Sequence, residues 1–188
     1  ALLNGLFVTH GEVLQNLGRD RDFGLIHRLD RPTSGLLLVG LTHEGYDGIR
    51  MQFEKRMIHK TYLALVHGSP NPAKGVDETP IREVRRGGRK RAELGKGRGS
   101  RPALTRYEVL ASARKVSLIT CQPKTGRLHQ IRVHMANRGC PVVGDRDYGK
   151  RSPLDRSMGR DSHWLHAARL RTRLMQKMFG EKQYRHFG

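Results

Sequence analysis

Asp30 stands between Arg28 and Arg31 in the stretch GLIHRLDRPTSGLLLVG, directly ahead of the apolar run Leu36-Leu37-Leu38-Val39. An acid on a solvated loop needs no such neighbours. A carboxylate that must stay ionised in a partly buried cleft does, because nearby guanidinium groups offset its desolvation. A helix cap and a structural ion pair remain open as plainer roles on these residues alone. Elsewhere, Tyr62 in KTYLALV reads by spacing as a core tyrosine on a strand. Gly126, Arg127, His129 and Gln130 fall at an expected turn-to-helix junction, whose free N–H groups and dipole suit a phosphate or the edge of a base. Direct contact and plain loop architecture are equally open there. Leu128, Ile131 and Met135 follow at helical spacing and read as core. Among ten histidines, His129 and His134 are five apart, not the four that puts two ligands on one helix face, and no third ligand accompanies His27, so no metal site is expected.

Several elements must position these groups. Gly5 to Thr9 reads as a short strand, 15–24 as a polar loop, and Leu36 to Leu41 as a buried strand. Thr42 can cap a helix over 43–57, where Tyr46, Ile49, Phe53 and Met57 share a face. Ile58 to Val66 reads as the next strand, Ala103 to Ala111 and Lys115 to Cys121 as a strand pair, and Trp164 to Leu170 as one more. The helix after the Thr125-Gly126 turn is expected to end at Gly139, and PVVGDRDYG is turn-rich. Residues 82–101 carry nine basic residues, two acidic and five glycines. They read as a flexible arm that orders on RNA, with Arg86, Arg89, Lys90 and Arg91 as contacts. From Arg173 the chain reads as a basic, helical tail.

At 188 residues the chain is long enough for one domain with a real core. The excess of 36 Lys and Arg over 17 Asp and Glu, a net +19, points to a polyanion partner, with nucleic acid the obvious one. Arginine outnumbers lysine, which favours bidentate phosphate contacts and stacking. Cys121 and Cys140 suggest neither a disulfide framework nor a zinc site, so a reducing compartment is expected. No apolar run approaches the ~20 residues a transmembrane helix needs, and no membrane association is expected. The chain begins at Ala1, which leaves open a removed or preceding segment.

The run HRLDRPTSGLLLV resembles the central motif of pseudouridine synthases of the RluA type. KTYLALVHG, ALTRYEVL, SLITCQPKTGRLHQIRVHMANRGCPVVGDRDYG and LHAARL resemble that catalytic domain's further blocks, in order. Together they cover roughly residues 24 to 171, with a weaker match at Gly5 to His10. The resemblance implies an α+β catalytic domain over 1–172, with a mixed, mostly antiparallel sheet, flanking helices and a basic cleft, followed by the extension 173–188. It implies conversion of uridine to pseudouridine without metal or organic cofactor. Asp30 corresponds to the catalytic nucleophile, attacking covalently or stabilising the sugar cation. Tyr62 matches the active-site tyrosine, whose ring can stack on a base and whose hydroxyl can move a proton. Arg132 corresponds to the arginine that pairs with the carboxylate. Arg28 matches a residue that enters the RNA where the target base has left, with Arg31 and Thr33 as further expected RNA contacts, while Thr33, Ser34 and Gly35 shape the loop that presents Asp30.

Two departures stand out. The lysine-proline strand that commonly opens the family's domain and the N-terminal RNA-binding module of many relatives have no counterpart here. Target choice is then expected to rest on the basic arm, the tail or a partner. The expected substrate is ribosomal RNA or an assembling ribosomal particle, bound by a monomer in a reducing compartment, with the arginine-rich composition favouring the mitochondrial matrix over a bacterial cytoplasm. The rival reading is an RNA-binding assembly factor with little or no catalysis. Retention of Asp30, Tyr62 and Arg132 speaks for the enzyme. A metal-dependent nuclease would need clustered carboxylates or histidines, and none surrounds Asp30.

Overall fold

Leu3, Leu6, Phe7, Leu14 and Leu17 recur three, four and seven residues apart, and they fold as the helix α1, Leu2–Leu17, kinked at His10. The short strand expected at Gly5 to Thr9 is therefore incorrect: five residues looked extended, but sixteen carry helical spacing. The expected polar loop 15–24 is replaced by the end of α1 and a 3-10 segment, Arg19–Gly24. The computed structural model describes residues 2–149, 152–156 and 162–173. They form two compact units. The basic tail expected beyond Arg173 lies outside the described residues.

The first unit takes described residues 2–29, 37–58 and 171–173. Leu14, Leu17, Ile26 and Tyr46 form its buried core, with Leu6, Phe7, Leu38, Val39, Ile49 and Phe53 packed around them. Helix α2, His43–Glu54, begins at Thr42 as expected, whose hydroxyl accepts the Gly45 N–H at 3.0 Å.

The second unit takes described residues 30–36, 59–149, 152–156 and 162–170. Its strands are β1 (Ser34–Gly35), β2 (His59–His67), β3 (Lys74–Asp77), β4 (Ile81–Arg86), β5 (Arg89–Leu94), β6 (Thr105–Ala113), β7 (Val116–Pro123) and β8 (Leu165–Arg171). Six make one sheet in the order β1-β8-β2-β7-β6-β3. β1 runs parallel to β8, while β2, β7, β6 and β3 pair antiparallel. Helix α3, Gln130–Asn137, lays Ile131 and Met135 against Ala64, Val66, Ile119 and Cys121 of this sheet, so both residues are core as expected. Gly139 follows the helix at φ +74, the left-handed stop that glycine favours. This is the mixed, mostly antiparallel α+β architecture expected. A short helix α4, Pro153–Arg156, completes the unit.

Two further expectations are corrected. The buried strand over Leu36 to Leu41 does not form. Leu36 N–H donates to Ala167 O at the sheet edge, Leu38 and Val39 join the first unit's core, and Leu36 and Leu41 are exposed. An apolar run was read as one element, but its residues divide between a sheet edge and the first unit's core.

The larger part of the arm 82–101, expected without strands, is likewise built as a hairpin, β4 against β5 in register from Ile81↔Leu94 to Arg86↔Arg89. Gly87 and Gly88 turn it at φ +55 and +74, the two left-handed residues of a tight hairpin turn. Ile81 and Ala92 bury their side chains with Ala103 and Val133 of α3, anchoring the ribbon while its basic tip stays exposed. Among the described residues no helix is long and apolar enough to cross a membrane.

Candidate active site

The loop carrying Asp30 is clasped onto β8. Thr33 N–H donates to the Asp30 carbonyl at 2.8 Å and closes a turn. The Thr33 hydroxyl meets His163 Nε2 at 2.8 Å, and the Ser34 hydroxyl meets His166 Nδ1 at 2.9 Å. Gly35 sits at φ +112 where a Cβ would lie 2.4 Å from the Ala167 oxygen, so only glycine fits. Thr33, Ser34 and Gly35 thus shape the loop as expected, and β8 supplies the surface that they grip.

Arg132, 3% exposed, reaches out from α3. Its Nε and Nη2 donate to the two oxygens of Asp145 at 2.7 and 2.9 Å, and Nη2 also donates to Asp147 Oδ2 at 2.7 Å. Nη1 donates to Asp30 Oδ2 at 3.3 Å, the longest of the four bonds. Asp145, with a fully buried side chain, is fixed in turn by the N–H groups of Asp147 and Tyr148 at 2.9 and 3.2 Å. Burial opposes the charge of Arg132. The bonds and charge of Asp145, then of Asp147 and Asp30, outweigh burial and hold its pKa above the ordinary value. Arg132 is therefore a permanent cation locked in place by Asp145 and Asp147, offering its remaining edge to a half-buried Asp30.

Around this pair stand groups kept neutral. His129 Nε2 lies 4.0 Å from Asp30 Oδ2, with the residue at φ +50, and burial followed by the charge of Arg132 pushes its pKa down. Its Nδ1 is 2.8 Å from the Tyr148 hydroxyl, which already accepts the Ala92 N–H at 2.8 Å. His163 is buried, and burial and then Arg132 push its pKa down to about 4. Tyr62 is half-buried on β2, with its pKa raised by burial and then by the charge of Asp30, so it holds its proton at neutral pH.

The structure brings Asp30, Arg132 and His129 together and sets Tyr62 within the field of Asp30. Gln130, expected among the RNA contacts, is turned into the fold. It is buried, accepts from the Thr125 hydroxyl and the Arg127 N–H, and donates to Leu104 O and the Thr105 hydroxyl. All four positions of its amide are filled by the turn it supports. The Arg127 guanidinium donates to Pro102 O at 3.0 Å, and Gly126 is exposed. Arg31 is exposed beside Asp30, and Arg28 is exposed in the first unit. Arg86, Arg89 and Lys90 are exposed at the hairpin tip, whereas Arg91 donates to Asp147 Oδ1 at 2.9 Å. Among the described residues, no group of three His, Cys, Asp or Glu side chains is placed to hold a metal ion.

Sequence reasoning missed Asp145, Asp147, Tyr148 and His163. The two acids and the tyrosine in VVGDRDYG were visible, but reading the block as turn-rich took their role to be bending the chain. His163 carried no local signal, since its partner Thr33 is 130 residues away.

The family model for RNA pseudouridylate synthase matches residues 5–137. An uncharacterized RNA pseudouridine synthase of Mycobacterium bovis is 40% identical over 147 residues, covering 78% of this chain and 47% of the relative. The ribosomal large subunit pseudouridine synthase D of Zymomonas mobilis is 36% identical over 173 residues, covering 90% of this chain and 54% of the relative. The chain thus spans about half the length of these curated relatives. Among solved structures, human RNA pseudouridylate synthase domain containing 4 superposes with a TM-score of 0.70 at 27% identity, over 88% of this chain and 75% of that one. Human RNA pseudouridylate synthase domain containing 1 gives 0.69 at 33% identity, over 84% and 68%. Motif order, sheet topology and these matches agree: the chain belongs to the RNA pseudouridylate synthase family, in its RluA branch.

Proposed function

We propose that this protein isomerises specific uridines in RNA to pseudouridine, with Asp30 acting at ribose C1′. The observation that carries the reading is the asymmetric pairing of Arg132, whose three short bonds are spent on Asp145 and Asp147. Asp30 is left oriented by a single longer bond, and among the described residues its second oxygen takes no hydrogen bond, which leaves it for the sugar. In the reaction the C1′–N1 bond breaks, the base turns, the C1′–C5 bond forms, the proton on C5 is lost and N1 takes up a proton. Asp30 attacks C1′ or stabilises its cation. Tyr62 stacks on the base and, protonated at neutral pH, serves as a proton carrier. Arg28 fills the gap left by the extruded base, stacking its guanidinium where the base had been.

Ribosomal RNA is the proposed substrate class. Support comes from the names of relatives, such as the ribosomal large subunit pseudouridine synthase C of Rickettsia bellii, and from the net charge of +19. Arg31, Arg127 and the hairpin's Arg86, Arg89 and Lys90 are proposed to hold its backbone.

Release of tritium from uridine labelled at C5 tests this, using ribosomal RNA transcripts and assembling particles, because the label must leave when C5 bonds the sugar. Release that disappears in Asp30→Ala while RNA binding persists is the expected result. Tight binding with no release from either substrate would leave a binding factor in place of an enzyme.

A further inference from the structure

We propose that Lys60 seats a backbone phosphate of the RNA next to the reacting uridine, a role that rests on the pseudouridine synthase reading above. Lys60 is the second residue of β2 and lies two before Tyr62. Alternate strand residues share a face, so it follows the line of Tyr62, Ala64 and Val66, the side that packs against α3. Its ammonium is half-buried beneath the turn that leads into α3. Nζ donates to the Thr125 carbonyl at 3.5 Å, and a Cβ on Gly126 would sit 3.7 Å from it.

Among the described residues no carboxylate pairs with Lys60. Burial alone lowers its pKa, with no acidic neighbour opposing the shift. No Asp or Glu occurs within 55–62 or 124–132. The contrast with Arg132, which is matched by three carboxylates, is sharp. A desolvated cation held without an anion is costly, and the cost is relieved when an anion arrives from outside. A compact ammonium suits a phosphate oxygen, and Gly126, bearing no side chain, leaves the approach open. A target nucleotide extruded toward Asp30 and Tyr62 carries its flanking phosphates past the N-terminal end of this strand.

The test compares the full chain with Lys60→Met and Lys60→Arg on one ribosomal RNA transcript, reading affinity across a salt series, tritium release and thermal midpoint. Lys60→Met is expected to weaken binding and to flatten the plot of log K against log salt by about 0.7–0.9, one phosphate contact. Lys60→Arg is expected to restore the slope. The melting temperature of Lys60→Met should hold or rise, because a desolvated charge has been removed, whereas a merely structural lysine would lower it. An unchanged slope overturns the proposal, including the case in which kcat alone falls, which would place Lys60 at the base. A flattened slope without any tritium release would uphold the phosphate seat and reject the isomerase reading, so the two fail separately.

Discussion

Arg132 carries one charge against three carboxylates, and the division of its bonds defines the site. Removing it strands the fully buried Asp145 without a cation. Arg132→Met is therefore expected to cost about 3–5 kcal/mol of stability, read by denaturant unfolding, in addition to abolishing activity. Arg132→Lys should fold better but lose most turnover, because an ammonium cannot fork to Asp145 while also reaching Asp30. His163 adds a dependence on pH. Its pKa falls from 6.5 in the unfolded chain to about 4 in the fold, so between those values the unfolded chain binds the extra proton. Stability should thus decline as pH drops from about 6.5 to about 4, by on the order of 2–3 kcal/mol, and level off below. His163→Gln, which keeps a partner for the Thr33 hydroxyl but cannot titrate, should flatten that decline in urea titrations run at each pH. At this scale the sequence was partly legible. The pairing of Arg132 with Asp30 followed from family resemblance, whereas the larger share held by Asp145 depends on a chain reversal that no spacing reveals.

Two elements show what pattern reading caught and lost. Strands β2, β6, β7 and β8 were visible because each alternates and stays within one core. Leu36 to Leu41 was misread because its residues divide between a sheet edge and the first unit's core. In the hairpin, glycines and arginines masked a strong local signal: Gly87-Gly88 flanked by two six-residue strands is a hairpin in its own right. Its register places Arg85 opposite Lys90 and Arg86 opposite Arg89, like-charge pairs only partly offset by ion pairs from Arg82 and Arg86 to Glu93. A polyanion relieves that repulsion. Arg89→Ala with Lys90→Ala should consequently reduce the salt slope of RNA binding by about 1–2 while leaving the melting temperature unchanged or higher. The β1–β8 clasp is rigid in a different way. Gly35→Ala combines a left-handed φ with a backbone collision and should cost about 3 kcal/mol or more, visible as a lowered thermal midpoint together with lost activity.

For the molecule as a whole, a net charge of +19 points to a polyanion partner, and five ordered sequence blocks carry the family. Charge says nothing of compartment, and the curated relatives compared above are bacterial. The remaining feature with consequences at this scale is Asp147, which is held at once by Arg91 of the hairpin and Arg132 of α3. Under the proposed isomerase reading, a phosphate that draws Arg91 away leaves Asp147 to Arg132 alone, so grip on the strand and the state of the Arg132–Asp30 pair become thermodynamically linked. Linkage runs both ways: whatever strengthens the hold of Arg132 on Asp147 also frees Arg91 for RNA. On that proposal, protein and polyanion trade one carboxylate for one phosphate, and the Arg132 centre is tuned by what docks on the hairpin.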